Sequence, residues 1–421
     1  MGYTLAEGYP PFSSLIFAST TLVSLATSLI VRPSPYRWIF WVIIVVGNTY
    51  LAFTTTHHPV ADYFLGSVYG GSILLGSDYI LLTEPQKELR LKGHKDAVDS
   101  APLPEKFRWG IRLWSSLRGV GWTHAPNRLC APASPERTRL VFIRWRLLVV
   151  GMNVFLLDAM SIYNRDNPAF LSDGISMADR PWLLRYVDLL AWVWTSQAQM
   201  RILHGVDPFG SSFDAYTLRR FWGRTWHQFV NRFASSHGKY LARQVFHYPP
   251  GTVASSLIQL YTSFAMSIFL HMVADFTMFK RWNVGGSLFF FAIQPFAIMF
   301  ETVVMMLARK LGHSGEPRIW ARLVGYIWVL TWFVLTFPGW FDPMARVRFM
   351  EIGLNMPFSI ILGSWKGEWW QGDVTLFRAA SSRRLVGNHL PAFILGIELI
   401  NNGAPPTSKR HVGCSISSQA Q

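Results

Sequence analysis

The sequence predicts an all-α, polytopic membrane protein. Half of its 421 residues are hydrophobic and only 15% are charged, against about a quarter in ordinary soluble domains. Apolar runs close to the length that crosses the hydrocarbon core, about 20 residues, recur along the chain. The 19 Trp and 31 Phe suit a molecule whose aromatic rings sit at both membrane interfaces.

The runs Phe12–Val31, Trp38–Thr55, Val60–Leu82, Leu147–Tyr163, Trp182–Ala198, Val253–Phe276, Gly286–Ala308 and Leu323–Phe341 are read as eight spans. A shorter ninth, Ile352–Gly363, is read as a half-span, giving eight to nine in all. The third carries Asp62, Tyr63, Tyr69, Ser72 and Asp78, so it should face protein rather than lipid. Pro295 should kink the seventh, which packed neighbours tolerate. Met1 to Pro11 holds Glu7 and no Lys or Arg, so a cleaved signal peptide is not expected. The organisation expected is N-terminal helices over 1–82, a basic loop over 83–146, a core with spans over 147–365 and a tail over 366–421. Residues 389–400 are too short to span and are expected to lie flat at the interface; 403–421 read as disordered.

The net charge is +15, yet the pattern excludes nucleic acid as a partner. The basic residues fall between apolar runs and are mixed with Trp, as in loops that meet an anionic leaflet or ligand. They concentrate in 83–146 and 199–250, two loops separated by two spans and hence on one side; the loop between carries Asp166, Asp173 and Asp179. The positive-inside rule makes the basic loops cytosolic, the N-terminus lumenal and the C-terminus cytosolic. Lys280 and Arg281 are the one pair on the wrong side. Cys130 and Cys414 offer no disulfide framework or metal spacing.

Three places carry chemistry. The stretch Leu218 to Phe233, LRRFWGRTWHQFVNRF, crowds arginines, Trp222, Trp226 and His227 into a cytosolic segment. It reads either as an amphipathic interfacial helix or, because His227 lies among aromatics, as part of a buried site. His271 lies inside an apolar run, where ionisable groups are rare and functional by default. Helical spacing puts Ser267 one turn before it and Asp275 one turn after, so Asp275 is expected to bond one ring nitrogen and leave the other as a base. Glu301, also within a span, must be paired or neutral; it binds a substrate hydroxyl or pairs structurally. No HExxH, phosphate loop or GxSxG elbow appears, so no metal is expected.

RRFWGRTWHQ at 219–228 resembles the signature of the wax synthase-like branch of the membrane-bound O-acyltransferases. The resemblance continues in order through His271, through Gln294-Pro295 with Glu301, and through Gly325 to Trp340, which looks like the family's Gly-x-x-Trp helix. RGVGW at 118–122 is similar to fungal members. Where the family often has Ser-Gly before the histidine, this chain has Met266-Ser267.

The resemblance implies His271 as catalytic residue with His227 as its polar companion, and Gln294 and Glu301 in the substrate site. With Arg219, Arg220, Arg224 and Trp226 facing the cytosol, it implies contacts to acyl-CoA, a co-substrate rather than a bound cofactor. The acceptor implied is a lipophilic alcohol arriving from the membrane lipid. Histidine at 227 points to fungal acetyltransferases of terpenoid or meroterpenoid alcohols, using acetyl-CoA in the endoplasmic reticulum. A long-chain wax ester synthase and a non-enzymatic carrier are the alternatives. Phe269, Met272, Phe276, Phe289, Phe290, Phe291, Phe296 and Phe300 either narrow an acyl tunnel or face lipid.

Overall fold

The structure is a computed structural model. It describes residues 7–93, 96–116, 119, 121–124, 139–204, 208–226, 229–312, 317–353, 355–356 and 358–366. Of the tail expected over 366–421, everything from residue 367 onward falls outside the described residues. So do Arg118 and Val120 of the RGVGW block.

Regular structure among the described residues is helical, apart from isolated bridges at Pro11–Thr55 and Leu91–Trp122. The helices are α1 (Ser14–Ile30), α2 (Trp38–Ala52), α3 (Pro59–Leu82), α4 (Leu103–Trp114), α5 (Arg139–Arg165) and α6 (Trp182–His204). After them come α7 (Asn231–Tyr240), α8 (Val253–Phe279), α9 (Ser287–Lys310), α10 (Ile319–Thr336) and α11 (Pro338–Arg346). All eight predicted spans are helical. Five helices, α3, α5, α8, α9 and α10, are long and apolar enough to cross a membrane; α1 and α2 are apolar but shorter.

Two expectations change. The eighth run, Leu323–Phe341, is two helices, because Pro338 has no N–H to continue the ladder and instead starts α11. The ninth run is not one half-span: the chain forms short helices Phe349–Gly353 and Ile360–Lys366. The basic segment 83–146 is also more than a loop. Its α4 buries Trp109 and Leu113 against α1, with Gly110 over Leu29 and Ile30. Trp122 of the RGVGW block is 1% exposed and packs edge-on to Trp109 at 5.9 Å, so it fills the core beneath the first two helices.

The pairing of α3 with α8 dominates the core. A Cβ at Gly66 would lie 2.7 Å from Ala274 Cα, and one at Gly70 would lie 3.2 Å from Leu270 Cα. The Gly-x-x-x-Gly spacing of α3 therefore lets the two backbones touch, as small residues do between membrane helices. Four of the five polar residues that marked α3 as protein-facing are buried, with Asp62, Tyr69 and Asp78 each 1% exposed or less; Ser72 is half-buried. Asp62 accepts from Thr55 Oγ1 and from Thr56 N and Oγ1, each at 2.7 Å. Asp78 pairs with Arg232 at 2.8 Å, which docks α7 on the end of α3.

Lys280 explains its misfit to the charge rule. Its ammonium turns inward and donates to the carbonyls of Ala52 and Thr54, closing the end of α2. Burial pulls Lys280 down to about 8, with Asp62 opposing. It is a helix-closing group, not a loop charge that reports sidedness.

Candidate active site

His271 lies in the second half of α8 on the wall of a cavity of about 240 Å³. Its ring stacks on Phe291 of α9 at 4.4 Å and 11°, and Trp340 meets it edge-on at 5.6 Å. Its Nδ1 is 2.9 Å from the hydroxyl of Tyr63 on α3. Trp222, Trp226, Phe264 and Phe291 supply most of the aromatic wall, and Arg219, Ser263, Ser267 and Asn231 the polar groups.

The signature segment reaches this cavity as two short turns rather than one amphipathic helix. Thr217 caps Leu218–Arg220 by accepting from Arg220 N at 3.1 Å. The chain then widens into a π turn over Phe221–Thr225, closed by Trp226 N donating to Phe221 O at 2.7 Å. π turns are rare and concentrate at functional sites. Gly210 admits this turn: a Cβ there would lie 2.0 Å from Arg224 O. Trp222 and Trp226 consequently do not share a stripe. Trp222 turns towards Phe264 and Phe291, while Trp226 stacks between Phe221 at 5.5 Å and Trp192 at 5.8 Å. His227, expected as the second catalytic group, lies outside the described residues.

Asp275 does not take the place expected of it. Its Oδ2 accepts from Ser287 N at 3.3 Å, at the start of α9, and its carboxylate fills the space a Cβ on Gly285 would need. The nearby helix N-terminus, rich in unpaired N–H groups, draws the carboxylate there, and the hydroxyl on Nδ1 comes from another helix. Asp275 also borders a separate cavity of about 290 Å³ with Met272, Asn283 and Phe289.

Glu301 and Gln294, expected in the substrate site, each hold protein groups. Glu301 Oε1 accepts from Leu218 N at 2.6 Å and Trp328 Nε1 at 2.9 Å, and its Oε2 accepts from Arg219 N at 3.2 Å. It therefore caps the first turn of the signature segment. Gln294 is fully buried; its Oε1 accepts from Trp222 Nε1 at 3.3 Å and Trp332 Nε1 at 3.1 Å, and its Nε2 donates to Phe290 O. The Gly-x-x-Trp helix has a matching account. A Cβ on Gly325 would strike Tyr216 O at 2.2 Å, and Trp328 holds Glu301.

Of the three arginines expected at the donor, Arg219 lines the cavity and also donates to Thr302 Oγ1. Arg220 and Arg224 converge on Asp214 at 3.1 and 3.8 Å, and Arg220 lies over Tyr216. Of the eight bulky residues weighed as tunnel walls, Phe291 lines the histidine's cavity. Phe289, Phe296 and Phe300 are each more than half exposed on the outer wall, the lipid-facing alternative. Sequence reading missed Tyr63 as a site residue. Its position one turn before a Gly-x-x-x-Gly pair was the available signal.

Residues 207–293, which include the signature turn and His271, match the membrane bound O-acyl transferase family. The acetyltransferase ple2 of Rhodocybe pseudopiperita is 36% identical over 85% of this chain and 98% of its own length. The chain belongs to the membrane-bound O-acyltransferase family. The acetyltransferase eriL of Hericium erinaceus is 31% identical over 76% of the chain and 87% of its own length. The acetyltransferase aurG of Calcarisporium arbuscula is 27% identical over 62% of the chain and 71% of its own. No solved structure matches. As a membrane-bound O-acyltransferase, the protein is an integral membrane enzyme that moves an acyl group from a donor to an acceptor hydroxyl.

Proposed function

We propose that this enzyme transfers an acetyl group from acetyl-CoA to a hydroxyl of a lipophilic secondary metabolite, a terpenoid or meroterpenoid alcohol, with His271 as general base. The observation that carries the reading is His271 on the wall of a small, aromatic cavity with one ring nitrogen already engaged by Tyr63. Acetyltransferase names on the similar fungal proteins support the two-carbon donor.

The chemistry needs little more than a base and a fixed geometry, because a thioester is already activated. Nε2 of His271 takes the alcohol proton, and the oxygen attacks the thioester carbonyl. The C–S bond breaks and the sulfur leaves with the electron pair, taking the proton back from the imidazolium as the CoA thiol. A positioned base contributes roughly 10²–10⁴-fold. Arg219, which lines the cavity, meets a CoA phosphate in this proposal, and His227 is the companion polar group. The endoplasmic reticulum, with the signature segment on the cytosolic face where acetyl-CoA is found, is part of the same proposal.

The deciding experiment supplies purified protein or microsomes with acetyl-CoA and palmitoyl-CoA in competition, over a panel of terpenoid alcohols. Higher kcat/KM for acetyl-CoA is expected. Preference for palmitoyl-CoA overturns the acetyl reading in favour of a wax ester synthase.

A further inference from the structure

The partner of His271 Nδ1 is a residue that the signature motifs do not include. Tyr63 belongs to α3, is 7% exposed, and places its hydroxyl 2.9 Å from Nδ1. Phe349 meets its ring edge-on at 5.3 Å. A buried hydroxyl is costly without a partner, and among the described residues His271 is the partner this one has. The backbones on either side of the bond are locked. Gly66, one turn after Tyr63, abuts Ala274, and Gly70 abuts Leu270; Leu270 and Ala274 flank His271 on α8. The phenol and the imidazole therefore cannot drift apart without opening the close contact of α3 with α8. The carboxylate one turn away, Asp275, is turned to the start of α9. A phenol does the same job without placing a charge inside the membrane, where charge is expensive.

We infer that Tyr63 is a positioning residue for the transfer: its oxygen accepts Nδ1–H, which selects the tautomer whose lone pair is on Nε2, and holds the imidazolium that forms when Nε2 takes the alcohol proton. The inference rests on His271 being the base. The tautomer is decided by the bond on the other nitrogen, and a hydrogen bond to a charged group is roughly twice as strong as a neutral one. The Tyr63 contact is therefore worth most in the transition state, which lowers kcat rather than KM when it is lost.

Tyr63→Phe removes the hydroxyl and keeps the ring against Phe349. The full-length variant is assayed with acetyl-CoA and the best alcohol of the panel. The expected kcat falls about ten- to a hundredfold, as for loss of a hydrogen bond to an ion. The KM for both substrates stays within about twofold, and the melting temperature falls by no more than one buried N–H left unpaired accounts for. In a Tyr63→Phe/His271→Ala double variant the residual rate should equal that of His271→Ala alone, since the hydroxyl acts only through the imidazole. A kcat within about twofold of wild type, a loss shared with KM and melting temperature, or a further drop in the double variant each overturns the assignment. If wild type prefers a longer acyl-CoA, the acetyl reading fails, and the same comparison made with that donor still judges Tyr63.

Discussion

At the scale of single residues, the site is a histidine among aromatics with its polar neighbours already committed. His271→Ala should reduce transfer by at least about a hundredfold, the lower bound for a general base, while the protein still accumulates in membranes. Transfer within about threefold of wild type would remove His271 from that role. Gln294 is a different kind of residue. It holds two indole N–H groups at once, Trp222 on the cavity wall and Trp332 on α10. Gln294→Leu should cost about 1–3 kcal/mol for each donor left unpaired. It should lower the melting temperature in detergent, and activity should fall with it. A variant that loses activity at unchanged stability would mean that Gln294 touches substrate after all.

At the scale of elements, two contacts decide whether the site forms. The first is the Gly66 contact of α3 with α8. Gly66→Ala pushes a Cβ to 2.7 Å from a backbone carbon, so α3 must move, at about 1–3 kcal/mol for overpacking, and Tyr63 moves with it. Gly71→Ala is the control: its nearest atom would be a Leu270 methyl at 3.8 Å, and alanine favours the helix by about 0.8–1.0 kcal/mol. Thermal melts should show the first variant destabilised and impaired, and the second neutral or better. Equal behaviour would separate the close approach from the site. The second contact is Glu301, which caps the signature turn and holds Trp328. Glu301→Ala leaves three N–H groups without their acceptor and should raise the KM for acetyl-CoA, because Arg219 loses its support. Glu301→Gln, which keeps one acceptor oxygen, should be milder. Identical kinetics for the two variants would sink the capping account.

At the scale of the whole molecule, the charge asymmetry makes one test. With Cys130 and Cys414 replaced by Ser, Lys239→Cys should react with an impermeant maleimide in sealed microsomes, whereas Asp173→Cys should react only after permeabilisation. Both positions are exposed. The reverse pattern would invert the topology and put the signature turn away from the cytosolic acetyl-CoA pool. The sequence alone fixed the class of molecule, because hydropathy, charge spacing and aromatic content act locally and survive any arrangement of the helices. It also placed His271, Gln294 and Glu301, since polar groups in apolar runs stand out whatever surrounds them. What the tertiary structure decided is which of these groups meet. Asp275 is one helical turn from His271 in sequence, yet it serves the start of α9. Tyr63, 208 residues from His271, supplies the bond on Nδ1. Glu301 and Gln294 turn towards backbone and indole N–H groups rather than the cavity. Such pairings depend on how closely two backbones approach, and that distance is set by glycines whose effect appears only once the helix on the other side is known.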